Sequence, residues 1–189
     1  MPSYKHHTNK VAIVPWAMVN DEPYFLLQLP APKRNAQDEM LWGIARGTVA
    51  DNSGQDIRDV THLEHMPESD IEDHRLTARR EASEELGLSS SLLTSDALQD
   101  SGLQEYTNAD GLTYPLHIFT IEVPFKPARQ YAEQAKPEDT QALQWASLQQ
   151  IGELVAENQM KAGYLPIAES VHQQLTATPQ RQQSALQSR

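Results

Sequence analysis

Residues 72–88 read Glu72-Asp-His-Arg-Leu-Thr-Ala-Arg-Arg80-Glu81-Ala-Ser-Glu84-Glu85-Leu-Gly87-Leu88. No proline interrupts the run, and Gly87 stands where a helix is closed by a left-handed residue. The pattern predicts a helix over Ile71–Leu86. At about 100° per residue, Ala78, Ala82 and Leu86 form one stripe, and the two small alanines let it lie close against a sheet. Glu81, Glu84 and Glu85 fall within an arc of roughly 100° beside that stripe. Like charges one turn apart destabilise a bare helix, so the cluster calls for a neutralising partner. Hard oxygen donors at this density suit Mg²⁺, with Mn²⁺ as a substitute. The plainer alternative is a solvated acidic face. Arg80 is one turn from Glu84 and two from Glu72, and its planar fork suits bridging carboxylates.

Around this helix the chain alternates strand and turn signals. Val11–Val19 is apolar and β-prone, with Pro15 marking an edge or bulged strand. Asn20–Pro23 is a turn and Tyr24–Leu29 a second strand, giving a hairpin. Met40–Ala45 reads as a third short strand ending at Arg46-Gly47. Residues 50–70 are polar and weakly periodic, as in a long loop or an insertion. Leu92–Leu98 is a short helix or a loop. Leu103–Asn108 and Leu112–Val123 flank the turn Asn108–Gly111. Pro124–Pro137 reads as a loop and Gln141–Ala146 as a strand. Ser147 caps a helix to about Glu157, and a last helix covers Leu165–Thr176. This order predicts an α+β fold or a mixed-sheet α/β sandwich. Residues 1–177 form a single domain with the insertion at about 50–70, and the Gln/Ser-rich segment 178–189 is a disordered tail.

The chain of 189 residues has no cysteine, which excludes disulfides and thiolate metal sites. No apolar run approaches the roughly 20 residues that span a bilayer, and Met1–Lys10 lacks a signal-peptide core. These features lead to the expectation of a cytoplasmic protein with no membrane partner. A net charge of −11 speaks against binding a nucleic-acid polymer, though not against a nucleotide reached through bound cations.

The run 72–88 also resembles the Nudix box, Gly-x5-Glu-x7-Arg-Glu-U-x-Glu-Glu-x-Gly-U, where U is apolar. Glu72, Arg80, Glu81, Ala82, Glu84, Glu85, Gly87 and Leu88 occupy the matching positions. The departures are Met66 at the box glycine and the small Ala82 at an apolar slot. Leu41–Val49 resembles the strand and turn that lead into the box, which makes Gly47 the displaced glycine and residues 50–70 an insertion. Val11–Leu29, His117–Pro124 and Glu138–Trp145 resemble flanking parts of the family.

The resemblance implies a Nudix-like α/β/α sandwich with a mixed β-sheet. It further implies Mg²⁺-dependent attack of water on phosphorus in a nucleoside diphosphate linked to a group X. Glu84 and Glu85 are then the principal metal ligands, and Glu81 a further ligand or water-positioning base. Arg80 and Glu72 orient them. The leading general base is Asp139, with Glu138 beside it, a solvated loop carboxylate being the rival reading for either; Glu105 is a weaker candidate. Arg46 and Gly47 are placed at the substrate. Arg46 either contacts phosphate or is a surface arginine, and Trp42 either stacks on a base or belongs to the core. His62 and His65 read as plain loop histidines rather than zinc ligands. No P-loop, nucleophile elbow or dinucleotide fingerprint is present.

The small-molecule partner is a nucleotide. The flanking stretches look most similar to members acting on nucleoside or pterin triphosphates, with nucleoside diphosphate sugars, ADP-ribose and dinucleoside polyphosphates left open. A homodimer is left open too. The alternative is a non-catalytic Nudix-fold nucleotide-binding or regulatory module, motivated by the insertion. A Ca²⁺-binding scaffold is a third reading.

Overall fold

The computed structural model describes residues 5, 7–32 and 41–187, with side chains to residue 177. Six strands form one mixed sheet: β1 (Lys10–Val19), β2 (Glu22–Pro30), β3 (Ala45–Thr48), β4 (Gln99–Thr107), β5 (Thr113–Glu122) and β6 (Thr140–Ser147). Their order is β4-β5-β1-β2-β6, with β3 also paired to β1. Only β1 and β5 run parallel; the other pairs are antiparallel. The helices are α1 (Val60–Leu63), α2 (His74–Leu86), α3 (Ala128–Ala132), α4 (Leu148–Ala156) and α5 (Leu165–Gln187).

Alternation along the central strands builds two cores. Val11, Ile13, Leu26, Phe119 and Ile121 point to one face, where they meet Ala78, Ala82 and Leu86 of α2. Ala12, Val14, Phe25, Leu27, Leu116 and Ile118 point to the other, where they meet Ile151 of α4 and Ile167, Ala168 and Val171 of α5. The α+β fold is thus the expected α/β/α sandwich around a mixed sheet. Among the described residues no helix is long and apolar enough to cross a membrane.

Pro15 is not on an edge strand: β1 is central. Its partner on one side changes at this point. Lys10–Ile13 pair with β3 and Trp16–Val19 with β2, so Val14 and Pro15 fall in the gap between two antiparallel ladders. A residue without an N–H is tolerated where the ladder is interrupted. The hairpin closes through Asn20 and Asp21, at φ 50° and 65°, as a two-residue turn of the kind that matches strand twist.

Several boundaries differ from the sequence reading. The third strand begins at Ala45 and includes Arg46 and Gly47; Trp42 and Gly43 make only single bridges, to Met160 and Gln28. Met40 lies outside the described residues. Helix α2 starts at His74, because Ile71 bridges to Asp51 and Asp73 takes the cap, accepting from the Arg75 N–H at 2.8 Å. Residues 50–70 are folded onto the body. Ile57 and Leu63 are buried in the first core, Asp59 caps α1, and the Asn9 side chain donates to the Ile57 and Arg58 carbonyls at 2.6 and 3.2 Å. The stretch Pro124–Pro137 carries α3, whose Tyr131 is buried. Leu92–Leu98 forms turns. Ser147 and Gln150 make a reciprocal capping box at α4. The backbone of α5 runs on to Gln187, into the segment read as a tail; residues 188–189 lie outside the described residues.

Candidate active site

Helix α2 lies over β1 and β3 through its alanine stripe, and this brings its glutamates to the strand that carries Arg46 and Gly47. The approach is close. A Cβ on Gly47 would sit 2.1 Å from Glu81 Cγ, so the position needs glycine. Gly87 ends the helix at φ 63°, and a Cβ there would meet the Tyr131 carbonyl at 2.0 Å.

Arg80 is the hub of the cluster. Its guanidinium is 2.5 Å from Glu81 Oε1, 3.6 Å from Glu72 and 3.7 Å from Glu84, and it donates to the Thr48 carbonyl at 3.1 Å. Glu72 is pinned in turn by the Ala50 N–H at 3.2 Å and the Thr77 hydroxyl at 2.7 Å. Glu84 also pairs with Lys136 Nζ at 2.6 Å. Glu85 accepts from the Arg46 N–H at 3.2 Å. Its own carbonyl takes the Thr140 hydroxyl at 2.6 Å, which ties the end of α2 to β6.

Two of these carboxyls are held against their charge. Burial pushes Glu81 up to about 7, with the neighbouring Glu84 charge adding and Arg80 opposing. Burial pushes Glu85 up to about 8, helped by Glu81 and Asp139 and opposed by the Arg46 N–H and the Gln28 side chain.

Glu85 opens into a cleft of about 450 Å³, a size suited to a small-molecule ligand. Arg46, Gly47, Glu138 and Asp139 line it, as do Lys10, Gln28, Tyr114, Lys161 and Tyr164. Arg46 is not a loose surface side chain. Its Nη1 donates to the Tyr114 hydroxyl at 2.8 Å, and its guanidinium lies 5.0 and 5.4 Å from the ring centres of Tyr106 and Tyr164. Trp42 is not part of the cleft wall; it packs on the second core, held by its bridge to Met160. Glu105 is exposed on β4, and His62 and His65 are exposed around α1.

Sequence reasoning missed Gln28, Lys136 and the three tyrosines around Arg46. Lys136 and Thr140 reach the site only because α3 folds the preceding segment against the end of α2, with the Lys136 N–H donating to the Glu84 carbonyl at 2.7 Å. No local spacing announces that contact.

The donor set fits a hard divalent cation in its chemistry. Three carboxylates from neighbouring turns, two of them partly desolvated and mutually repelling, lose that repulsion on binding one. As the side chains stand, the charges are shared out among Arg80, Lys136 and the β3 backbone. Among the described residues no three His, Cys, Asp or Glu side chains converge on one point.

Mixed sheet, flanking helices and the glutamate-bearing α2 over β1 and β3 make this a Nudix fold. No family model and no curated protein sequence matches the chain. The likeness lies in solved structures. The NUDIX domain of Shewanella oneidensis NrtR, complexed with ADP ribose, superposes with a TM-score of 0.55 at 14% identity, covering 90% of this chain and 89% of that one. A C. elegans Ap4A hydrolase binary complex gives 0.53 at 14% identity, covering 89% and 97%. NrtR complexed with a 27mer DNA gives 0.51 at 16% identity, covering 89% and 62%.

Proposed function

We propose that the protein is a Mg²⁺-dependent pyrophosphohydrolase that cleaves a diphosphate linkage in a nucleoside diphosphate-X compound, by attack of water on phosphorus. The observation that carries this reading is Glu85. It is a desolvated carboxylate, braced by the Arg46 N–H, facing a nucleotide-sized cleft that also holds Lys10, Arg46 and Lys161. Such a cleft suits an anionic substrate that arrives with its own counter-cation. The solved structures of this fold with ADP ribose and in an Ap4A hydrolase complex point to nucleotide-derived ligands as the class to test first.

In this reading Glu85, Glu84 and Glu81 would hold Mg²⁺ or Mn²⁺, which when bound would supply charge neutralisation of the phosphates and a more acidic water. The residues of the chain supply position. Arg80 and Glu72 keep the carboxylates aligned, and Gly47 lets β3 lie against them. The Arg46 N–H fixes Glu85 while its caged guanidinium presents positive charge to the cleft. Asp139, on the cleft wall and close enough to raise the Glu85 carboxyl, is the candidate to take the proton from water. A nucleoside or pterin triphosphate is the first substrate class proposed.

A second reading is a nucleotide-binding module without turnover. The pairing of Glu81 with Arg80 and of Glu84 with Lys136 favours it, since both carboxylates are already satisfied. One experiment separates the two. Product release from a nucleotide panel is followed with Mg²⁺, for wild type and Glu85→Gln. The enzyme reading expects turnover on at least one compound and a loss of about 100-fold or more in the variant. Identical background from both proteins across the panel, with nucleotide binding retained, establishes the module instead.

A further inference from the structure

A second groove, of about 460 Å³, adjoins the cleft and is lined by Thr8, Asn9, Lys10, Arg58, Asp59, Val60, Tyr114 and Pro115. Two of these, Lys10 and Tyr114, line the cleft as well, so the two spaces share a wall. The outer wall comes from the segment between β3 and α2, and it is firmly seated. Asn9, itself buried, donates to the carbonyls of Ile57 and Arg58, and the buried Thr8 hydroxyl donates to the Pro115 carbonyl at 2.7 Å.

The groove has both a charge and an apolar surface to offer. The guanidinium of Arg58 makes no hydrogen bond or ion pair among the described residues. Lys10, whose amine donates to the Thr48 hydroxyl at 2.6 Å, is within electrostatic reach of both Arg46 and Arg58. Burial holds that amine below its ordinary value; Arg46 and, more weakly, Arg58 push the same way, while Asp56 and Glu81 oppose them. Asp59 stays ionised, its carboxylate turned to cap α1 through the Thr61 N–H and hydroxyl at 2.9 and 2.8 Å, and it makes no ion pair with Arg58. Val60 is 43% exposed at the rim, beside Pro115.

We propose that this groove is a second anion subsite, continuous with the cleft, in which Arg58 and Lys10 take a phosphate carried by the X group while Val60 and Pro115 pack against its apolar part. The proposal rests on reading the cleft as the place where the diphosphate lies. It makes residues 57–60 a determinant of which X is accepted: a group bearing its own phosphate is favoured over an uncharged sugar. The Arg58 side chain is exposed and takes no part in the ion pairs on α2, so its replacement leaves the fold and the glutamates in place.

The test uses inorganic pyrophosphate as the probe, titrated into the metal-free protein and followed by residue-resolved amide shifts. The expected result is saturable shifts at Arg58, Val60 and Lys10. Arg58→Ala should weaken this site about tenfold, with Arg58→Lys retaining most of it. Glu169→Gln, exposed on α5 and outside both spaces, should leave it unchanged. Shifts confined to residues 43–47, or an unaltered affinity in Arg58→Ala, overturn the subsite, as does the absence of any saturable shift. A turnover arm keeps the two readings apart. Hydrolysis with an unchanged KM in Arg58→Ala, for a substrate whose X carries a phosphate, sinks the subsite and leaves the hydrolase standing. Saturable shifts at Arg58 without turnover on any substrate sink the hydrolase and leave the subsite standing.

Discussion

Gly47 shows how much a single residue decides here. Its missing side chain leaves the space that Glu81 occupies: a Cβ there would lie 2.1 Å from Glu81 Cγ and 2.5 Å from Cδ. Gly47→Ala therefore forces either β3 or Glu81 to move. Overpacking of this kind typically costs about 1–3 kcal/mol. The expected outcome is a lowered urea midpoint with an unchanged m-value, together with a loss of turnover larger than the stability loss explains. Wild-type activity in Gly47→Ala would show that Glu81 can leave its position without consequence. The same residue marks where the sequence was readable. The pattern around Arg80 points to the glutamates, and the likeness of Leu41–Val49 to the stretch leading into the motif points to Gly47 despite its distance along the chain. Its physical duty, a steric one toward Glu81, became visible only with β3 laid against α2. Arg46 was less legible. A lone arginine before a glycine carries no sign that Tyr106, Tyr114 and Tyr164, from β4, β5 and the turn before α5, will surround it.

At the scale of the element, α2 is specified by two features that act together: its cap at Gly87 and its alanine stripe. Ala78 and Ala82 have no exposed surface, and the helix reaches β1 and β3 because nothing larger separates them. Ala82→Leu adds volume to that seam, and a destabilisation of about 1–3 kcal/mol is expected from overpacking. Ser83→Leu, on the exposed side of the same turn, should stay within about 0.5 kcal/mol of wild type. Thermal and urea unfolding of the pair check this; equal effects from both would mean that the seam tolerates a larger side chain. Helix and hairpins were legible because period and turn chemistry are local. The short pieces were not: α3 is only one turn long and is held by burial of Tyr131, and residues 50–70 are ordered by Asn9, a contact across the sequence. Pro15 misled for the same reason. Its tolerance depends on where β3 and β2 exchange places beside β1, which is a property of the sheet.

Across the whole molecule, stability against pH is set by buried groups working in opposite directions. His74, at the start of α2, bonds through Nε2 to the Thr8 carbonyl at 2.8 Å, which ties the entrance of β1 to the helix. Burial holds its value below 6.5; the Thr8 carbonyl and Asp73 oppose that shift, while His117 and Lys5 add to it. Below about pH 6.5 the unfolded chain takes up this proton and the folded one does not. Its contribution to stability is therefore lost as pH falls through 6.5 toward the lowered folded value. Glu81 and Glu85 carry the opposite sign. Their folded values, about 7 and about 8, stand above 4.5, so between about pH 4.5 and 8 the metal-free fold keeps protons that the unfolded chain releases. Their effect is to raise stability as pH falls. A single profile mixes the two, and a difference between proteins separates them. His74→Gln keeps a donor for Thr8 and cannot ionise. Its urea midpoint should lie below that of wild type at pH 7.5, and the gap should narrow between pH 6.5 and 5, with a slope difference of at most about 1.4 kcal/mol per pH unit for one proton. Parallel profiles for the two proteins would remove His74 from the acid response and leave that response to the carboxylates alone.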